Sequence, residues 1–166
     1  MGNDKVVGII PARYGSTRLP GKPLKPILGT PMIQRVCERC MQARLLDSVC
    51  VATDDERIVT AVEGFGGNAV MTSPDHASGT DRLAEAVEKI DADIVVNIQG
   101  DQPFMDPTMI EETVAPLLED ASVQVCTVMH AIEKPEDIED PAVVKVVTDL
   151  AGFALYFSRF RIPYPQ

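Results

Sequence analysis

Four short apolar runs alternate with stretches of helical period, and this alternation narrows the fold more than any other feature of the chain. "KVVGIIP" (residues 5–11), "SVCVATD" (48–54), "AVMT" (69–72) and "DIVVNIQGD" (93–101) have strand length. The last is apolar on both faces until Gly100, as suits a strand covered from two sides. Between the runs, Pro31 opens a helix expected to reach about Leu46, with Ile33, Val36, Cys37 and Cys40 at helical spacing. "DERIVTAVEGF" is a second helix, stopped by Gly66 and Gly67, and "SGTDRLAEAVEKI" a third behind a Ser/Thr cap. "DPTMIEETVAPLLED" has Asp106 as cap and Pro107 in its first turn. Strands alternating with helices imply a three-layer α/β arrangement with a mainly parallel sheet and right-handed crossovers. Further on, "VQVCTVMHAI" alternates like another strand, and "VKVVTDLAGFALYFS" reads as a hairpin turning at Ala151-Gly152.

The 166 residues, 45% of them hydrophobic, suffice for one domain with a core. The closing "FSRFRIPYPQ" is extended and Pro-rich with no element after it, so the expectation is a single domain over residues 1–166 that is C-terminally truncated. A net charge of −10 argues against a nucleic-acid-coating protein. Its distribution says more: Lys5, Arg13, Arg18, Lys22, Lys25 and Arg35 fall between Asp4 and Glu38 with no acid among them. Such a local cationic segment suits a small polyanion, or else is a solvated basic loop. No apolar stretch is long enough to span a bilayer, and "VVGIIPA" lacks the cleavage pattern of a signal peptide. Four cysteines without framework spacing point to a reducing, cytoplasmic setting.

The cationic segment contains "IIPARYGSTRLPGKPL" (9–24), which looks almost like a Walker A loop. It is not one. Five residues rather than four separate Gly15 from Gly21, and Lys22 is followed by Pro23 instead of a magnesium-binding hydroxyl. Nor does G-x-G-x-x-G follow the first strand. What remains is a loop at the carboxyl end of a strand from which Arg13, Arg18 and Lys22 project, with backbone N–H groups near Gly15 for phosphate oxygens.

"GSTRLPGK" is similar to the G-x-R-x-x-P-x-K signature of sugar nucleotidyltransferases. The longer string, with "VATDDERI", "DHASGTDRLAE", "VNIQGDQPF", "VKVVTD" and "GFALYFSR" in order, resembles the 3-deoxy-manno-octulosonate cytidylyltransferase family. The resemblance covers essentially the whole chain. It implies a three-layer α/β/α nucleotidyltransferase fold with a Rossmann-like sheet, and conversion of CTP and 3-deoxy-D-manno-octulosonate (Kdo) to CMP-Kdo and pyrophosphate for lipopolysaccharide. It also implies Mg²⁺ as cofactor, no nucleic-acid or membrane partner, and leaves a homodimer open. The family usually reads "FSRSPIPY" where this chain has "FSRFRIPY", and continues for roughly another third. That continuation carries a second metal-binding aspartate and most sugar-acid contacts. Two alternatives stand: activation of another sugar acid, and a catalytically incomplete nucleotide-binding fragment.

Residue by residue, the resemblance implies that Arg13 and Lys22 neutralise phosphate charge, assisted by Arg18, with Ala12, Gly15 and Ser16 of the same loop lining the substrate site. By its type alone, Asp101 is either a magnesium ligand or a turn residue capping backbone donors. The resemblance implies the metal role, with Gln99 fixing nucleotide or sugar geometry. Ser78, Gly79 and Thr80 begin a helix, so capping accounts for them; the resemblance sets them beside cytosine and ribose. Arg159 is implied to reach the substrate acid. Cys37 and Cys40 form a C-x-x-C, but on the buried stripe of a helix and with no second pair, which favours packing over zinc or redox use. His76 and His130 lack the partners of a hydrolase triad, and His130 is expected to be structural. Phe153, Tyr156 and Phe157 are expected in a core or an interface.

Overall fold

A computed structural model of the chain describes residues 4–15 and 19–163. The first strand, β1 (Val6–Ala12), is buried along almost its whole length. Its residues alternate as a pleated strand requires: Val6, Ile10 and Ala12 enter one apolar cluster, Val7 and Ile9 another. A small hairpin of β2 (Pro26–Ile27) and β3 (Thr30–Pro31) leads into α1 (Met32–Cys40). β4 (Ser48–Thr53), α2 (Glu56–Gly64), β5 (Asn68–Met71), α3 (Gly79–Val87), β6 (Ile94–Asn97) and α4 (Pro107–Glu119) follow.

The main sheet has the order β5-β4-β1-β6, and every pairing is parallel. Residues from α1, α2 and α4 join Val6, Ile10, Val51 and Val96 in one cluster, while Leu83 and Ala86 of α3 join Val7, Ile9 and Ala52 in the other. Helices therefore cover both faces, and the three-layer α/β/α architecture expected from the sequence is present. The chain builds β1, β4 and β5 outward on one side, then returns to lay β6 on the other side of β1. That reversal makes a crevice at the carboxyl ends of β1 and β6, where open parallel sheets bind ligands.

Several expectations need correction. Pro31 is the N-cap of α1 with ψ 139°, and the helix stops at Cys40 rather than near Leu46. Beyond it Gln42 and Ala43 donate to Arg39 and Cys40, the tighter i→i+3 pattern, and Ala43 and Leu46 stay buried through turns instead. The run at 93–101 is covered on both faces as expected, Val96 and Ile98 in one cluster and Val95 against the other, but only Ile94–Asn97 form a strand, ladder-paired on one side among the described residues. The segment 123–132 alternates but joins no ladder among the described residues, and alternation without a partner strand makes no sheet.

Residues up to Cys126 form one compact unit and those from Thr127 a second. The second holds α5 (Pro135–Glu139), which had no counterpart in the sequence reading, and a hairpin of β7 (Lys145–Thr148) and β8 (Ala154–Ser158). The hairpin was expected; its turn is wider than two residues. Asp149 Oδ1 accepts from the N–H groups of Ala151 and Phe153, at 2.9 Å each. Phe153, Tyr156 and Phe157 are exposed, so they lie in no core among the described residues, and His130 is exposed rather than structural.

Candidate active site

The crevice beside β1 and β6 is a cavity of about 470 Å³ whose lining includes Arg13, Lys22, Gln99, Gly100 and Asp101. Two chain segments far apart in sequence make it. The loop after β1 folds back so that Gly21 N–H donates to the Tyr14 carbonyl at 2.9 Å. Gly21 has φ +67°, a conformation that would strain any residue with a Cβ. A single 3₁₀ turn, Lys22–Leu24, starts there with Pro23 in its first turn, where its fixed φ suits a helical start. The second segment leaves β6 at Asn97 and passes β1 at Gly100, where an added Cβ would lie 3.1 Å from the Pro11 carbonyl oxygen. A Cβ there would force the Pro11 carbonyl or its neighbours back by a few tenths of an ångström, so glycine favours this close approach.

Across the cavity Lys22 Nζ donates to Asp101 Oδ2 at 2.6 Å. The side chains are 39% and 52% exposed, so the pair adds little to stability, about 0–1 kcal/mol at most for its kind. Its interest is chemical: a cation and a carboxylate share the mouth of one cavity, available to exchange partners. Arg13 is exposed on the same rim. Gln99 lies near Asn97, at 3.5 Å between side chains.

A smaller cavity of about 200 Å³ adjoins, sharing Pro11, Ala12, Arg13 and Gln99, and adding His76, Ala77, Ser78, Gly79 and Arg82. The Ser78 hydroxyl accepts from Asp81 N–H at 3.1 Å, and Asp81 Oδ2 accepts from Ser78 N–H at 3.1 Å, a reciprocal capping box. Capping is thus real at Ser78, and the same turn walls the cavity. Beneath it Arg82, buried at 3% exposure, donates to Asp54 Oδ2 at 2.7 Å and to the Thr72 hydroxyl. His76 Nε2 lies 2.6 Å from Glu85 Oε2. Glu85 also accepts from Lys89 and from Ser73 N–H. Together, Lys89 foremost, these partners lower its carboxyl to about 2.

Of the residues singled out in the sequence, the fold brings Ala12, Arg13, Lys22, Gln99, Asp101, Ser78 and Gly79 to two adjoining cavities. Gly15 and Thr80 are exposed nearby in sequence and line neither. Ser16 and Arg18 lie outside the described residues. Arg159 belongs to the second unit, where its Nη1 donates to the Pro141 carbonyl at 2.9 Å. The sequence reading missed His76 and Arg82 as wall residues. A charged residue beside Leu83, on the buried stripe of α3, was the available signal for Arg82.

Burial pushes the Cys37 thiol up to about 12 and those of Cys40 and Cys50 to about 11, so the C-x-x-C pair packs as apolar side chains. No group of three or more His, Cys, Asp or Glu side chains converges among the described residues. Asp101 is the carboxylate that lines the larger cavity, and Mg²⁺ is commonly held by one or two carboxylates with phosphate and water oxygens. The donor set therefore fits a magnesium–nucleotide complex.

A parallel α/β sheet with a cationic loop and a carboxylate at its switch point defines a nucleotide-handling class. Residues 7–166 match the pattern of the cytidylyltransferase family, and the chain belongs to that family. It is 56% identical over 161 residues, 97% of its length, to the 3-deoxy-manno-octulosonate cytidylyltransferase of Syntrophotalea carbinolica. It is 54% identical over 96% of its length to the 8-amino-3,8-dideoxy-manno-octulosonate cytidylyltransferase of a Shewanella species. Among solved structures, a CMP:2-keto-3-deoxy-manno-octonic acid synthetase complexed with CTP superimposes with a TM-score of 0.92. That match has 52% identity and covers 98% of this chain and 67% of the other. The chain spans 64% of the length of the Syntrophotalea relative and 66% of the Shewanella one.

Proposed function

We propose that the chain carries the nucleotide side of a cytidylyltransferase that converts CTP and Kdo to CMP-Kdo and pyrophosphate. The observation that carries this reading is the cavity at the β1/β6 switch point, where Lys22 pairs with Asp101 and Arg13 lines the same wall. Lys22, now paired with Asp101, would turn to the triphosphate, leaving the carboxylate to hold Mg²⁺. When bound, that ion would neutralise charge on the phosphate oxygens. Arg13 and Lys22 would hold the pyrophosphate portion as it leaves, and Gln99 would orient the nucleotide or the sugar acid. Ser78, Gly79 and Thr80 would meet cytosine and ribose, and Ala12, Gly15, Ser16 and Arg18 would complete the loop around the nucleotide. Arg159 would reach the sugar carboxylate. The sugar's anomeric hydroxyl would form the new bond to the α-phosphorus as the bond to pyrophosphate breaks, a reaction governed by positioning and charge neutralisation.

The near-equal identity to a Kdo and to an 8-amino-Kdo enzyme supports a second reading, in which the acceptor is the amino sugar acid. Three of four cysteines are buried and all are free, which suits the cytoplasm, and the product would feed lipopolysaccharide synthesis. No helix among the described residues is long and apolar enough to cross a membrane.

Calorimetry with CTP in Mg²⁺, and pyrophosphate release on adding each sugar acid, test the nucleotide and acceptor halves separately. The 166-residue chain is expected to bind CTP weakly and to release little pyrophosphate, because near-attack positioning needs both reactants held. Lys22→Ala or Arg13→Ala should weaken CTP binding by about 1.5–3 kcal/mol, the worth of a charge-assisted hydrogen bond. Asp101→Asn should abolish its Mg²⁺ dependence. CTP affinity unchanged in all three variants would refute the assignment.

A further inference from the structure

The loop that carries Arg13 and Lys22 is tied down by a side-chain stack lying outside both cavities. The Arg57 guanidinium sits 3.4 Å from the centroid of the Tyr14 ring. Arg57 is itself held by a two-pronged pair with Asp55, Nε to Oδ1 at 2.8 Å and Nη2 to Oδ2 at 2.6 Å. Asp55 is fixed in turn because its Oδ1 caps α2, accepting from Arg57 N–H at 3.0 Å. These bonds, the side-chain pair foremost, hold the Asp55 carboxyl below its ordinary range. On its other side the Tyr14 ring closes against Gly21, whose hypothetical Cβ would lie 3.0 Å from the ring. The backbone bond from Gly21 to Tyr14 joins the same two residues.

Each end of this clamp is next in sequence to a cation of the larger cavity: Arg13 precedes Tyr14 and Lys22 follows Gly21. We propose that Tyr14 and Arg57 are positioning residues that pin the two ends of the loop to the start of α2, so that Arg13 and Lys22 converge on the β and γ phosphates of a nucleoside triphosphate. This deepens the functional reading above and rests on it. The clamp touches no phosphate. Its ring and guanidinium supply a weakly hydrated, planar stack of the kind arginine forms on aromatic faces, and lysine would lack the fork to Asp55.

The test has two arms on the 166-residue chain, with Tyr14→Leu, Arg57→Met and the ring-preserving Tyr14→Phe. In the ligand-free protein, exchange of the Gly21 amide hydrogen should speed up several-fold in Tyr14→Leu and Arg57→Met. Exchange in β1 should stay unchanged, and Tyr14→Phe should behave as wild type. In the second arm, affinities for CTP and CMP are compared at fixed Mg²⁺. Loss of the stack should weaken CTP roughly threefold to tenfold, by the usual worth of a cation–π contact, while CMP, lacking the outer phosphates, changes little. A merely structural role would lower both affinities together. Unchanged Gly21 exchange overturns the clamp whatever the nucleotide does. Weakened CTP in Arg57→Met but not in Tyr14→Leu also overturns it, since Arg57 would then act directly. If Lys22→Ala binds CTP like wild type, the functional reading falls, and with it the phosphate half of this proposal, while the exchange arm still judges the clamp.

Discussion

Ile9 and Ile10 in β1 are fully buried, whereas Leu155 and Tyr156 in β8 are 67% and 61% exposed, although both strands carry apolar residues on both faces. The unit up to Cys126 seals its sheet between two helix layers, so apolar burial dominates its stability. The hairpin of the unit from Thr127 has no such cover among its described residues, and polar ties replace it. Lys145, 5% exposed, donates to three carbonyls, those of Asp140, Val143 and Arg159, at 2.7, 2.8 and 3.0 Å. Strand pairing needs only a matching ladder; burial needs another layer, which local pattern does not provide.

The strongest test of this contrast is Ile33→Ala, which empties a fully buried position between α1 and the sheet. It should cost about 2–5 kcal/mol in denaturant unfolding of the first unit. Lys145→Met should come next: three inward-facing carbonyls lose their shared donor, and the second unit should lose about 1–3 kcal/mol, read from amide exchange in β7 and β8. An effect on β1 as large as on β7 would erase the distinction between the units.

A smaller effect sharpens the comparison inside the first unit, where Glu85 is a polar tie of the second unit's kind. Its carboxyl is lowered from 4.5 to about 2, so its contribution is fully present above about pH 4.5 and lost as pH falls through about 2. Thermal melts of Glu85→Gln should therefore be flatter over that window than those of wild type. The smallest expected change is Tyr156→Ala, within about 0.5 kcal/mol, because the ring leaves solvent for nothing. A loss near that of Ile33→Ala would mean that something covers β8 in solution.

Much of the first unit was legible because its signals are local. The caps at Ser78 and Asp106 each accept from an N–H two or three residues ahead, so composition over one turn announces them; the cap at Asp55 is of the same local kind but went unread. The end of α1 was not legible, since apolar spacing continues through Ala43 and Leu46 while the backbone tightens into turns. Segment 123–132 failed in the opposite sense, having a strand's pattern and no partner among the described residues. At the site, glycines, cations and "QGD" stood out as residue types, but Arg82 hid inside a helical stripe, and the Tyr14–Arg57 stack had no local signature.

By itself the sequence determined the strand-helix alternation, the capped helix starts and a cationic loop that is neither a Walker A nor a dinucleotide fingerprint. These follow from periodicity and from bonds that close within a few residues. Only the tertiary structure decided that Lys22 meets Asp101, 79 positions away, and that Arg82 lies over Asp54. It also decided that α1 and α2 share one face of the sheet while α3 takes the other. The reason is the strand order: β6 lies beside β1 rather than β5, and no local pattern encodes which strands become neighbours.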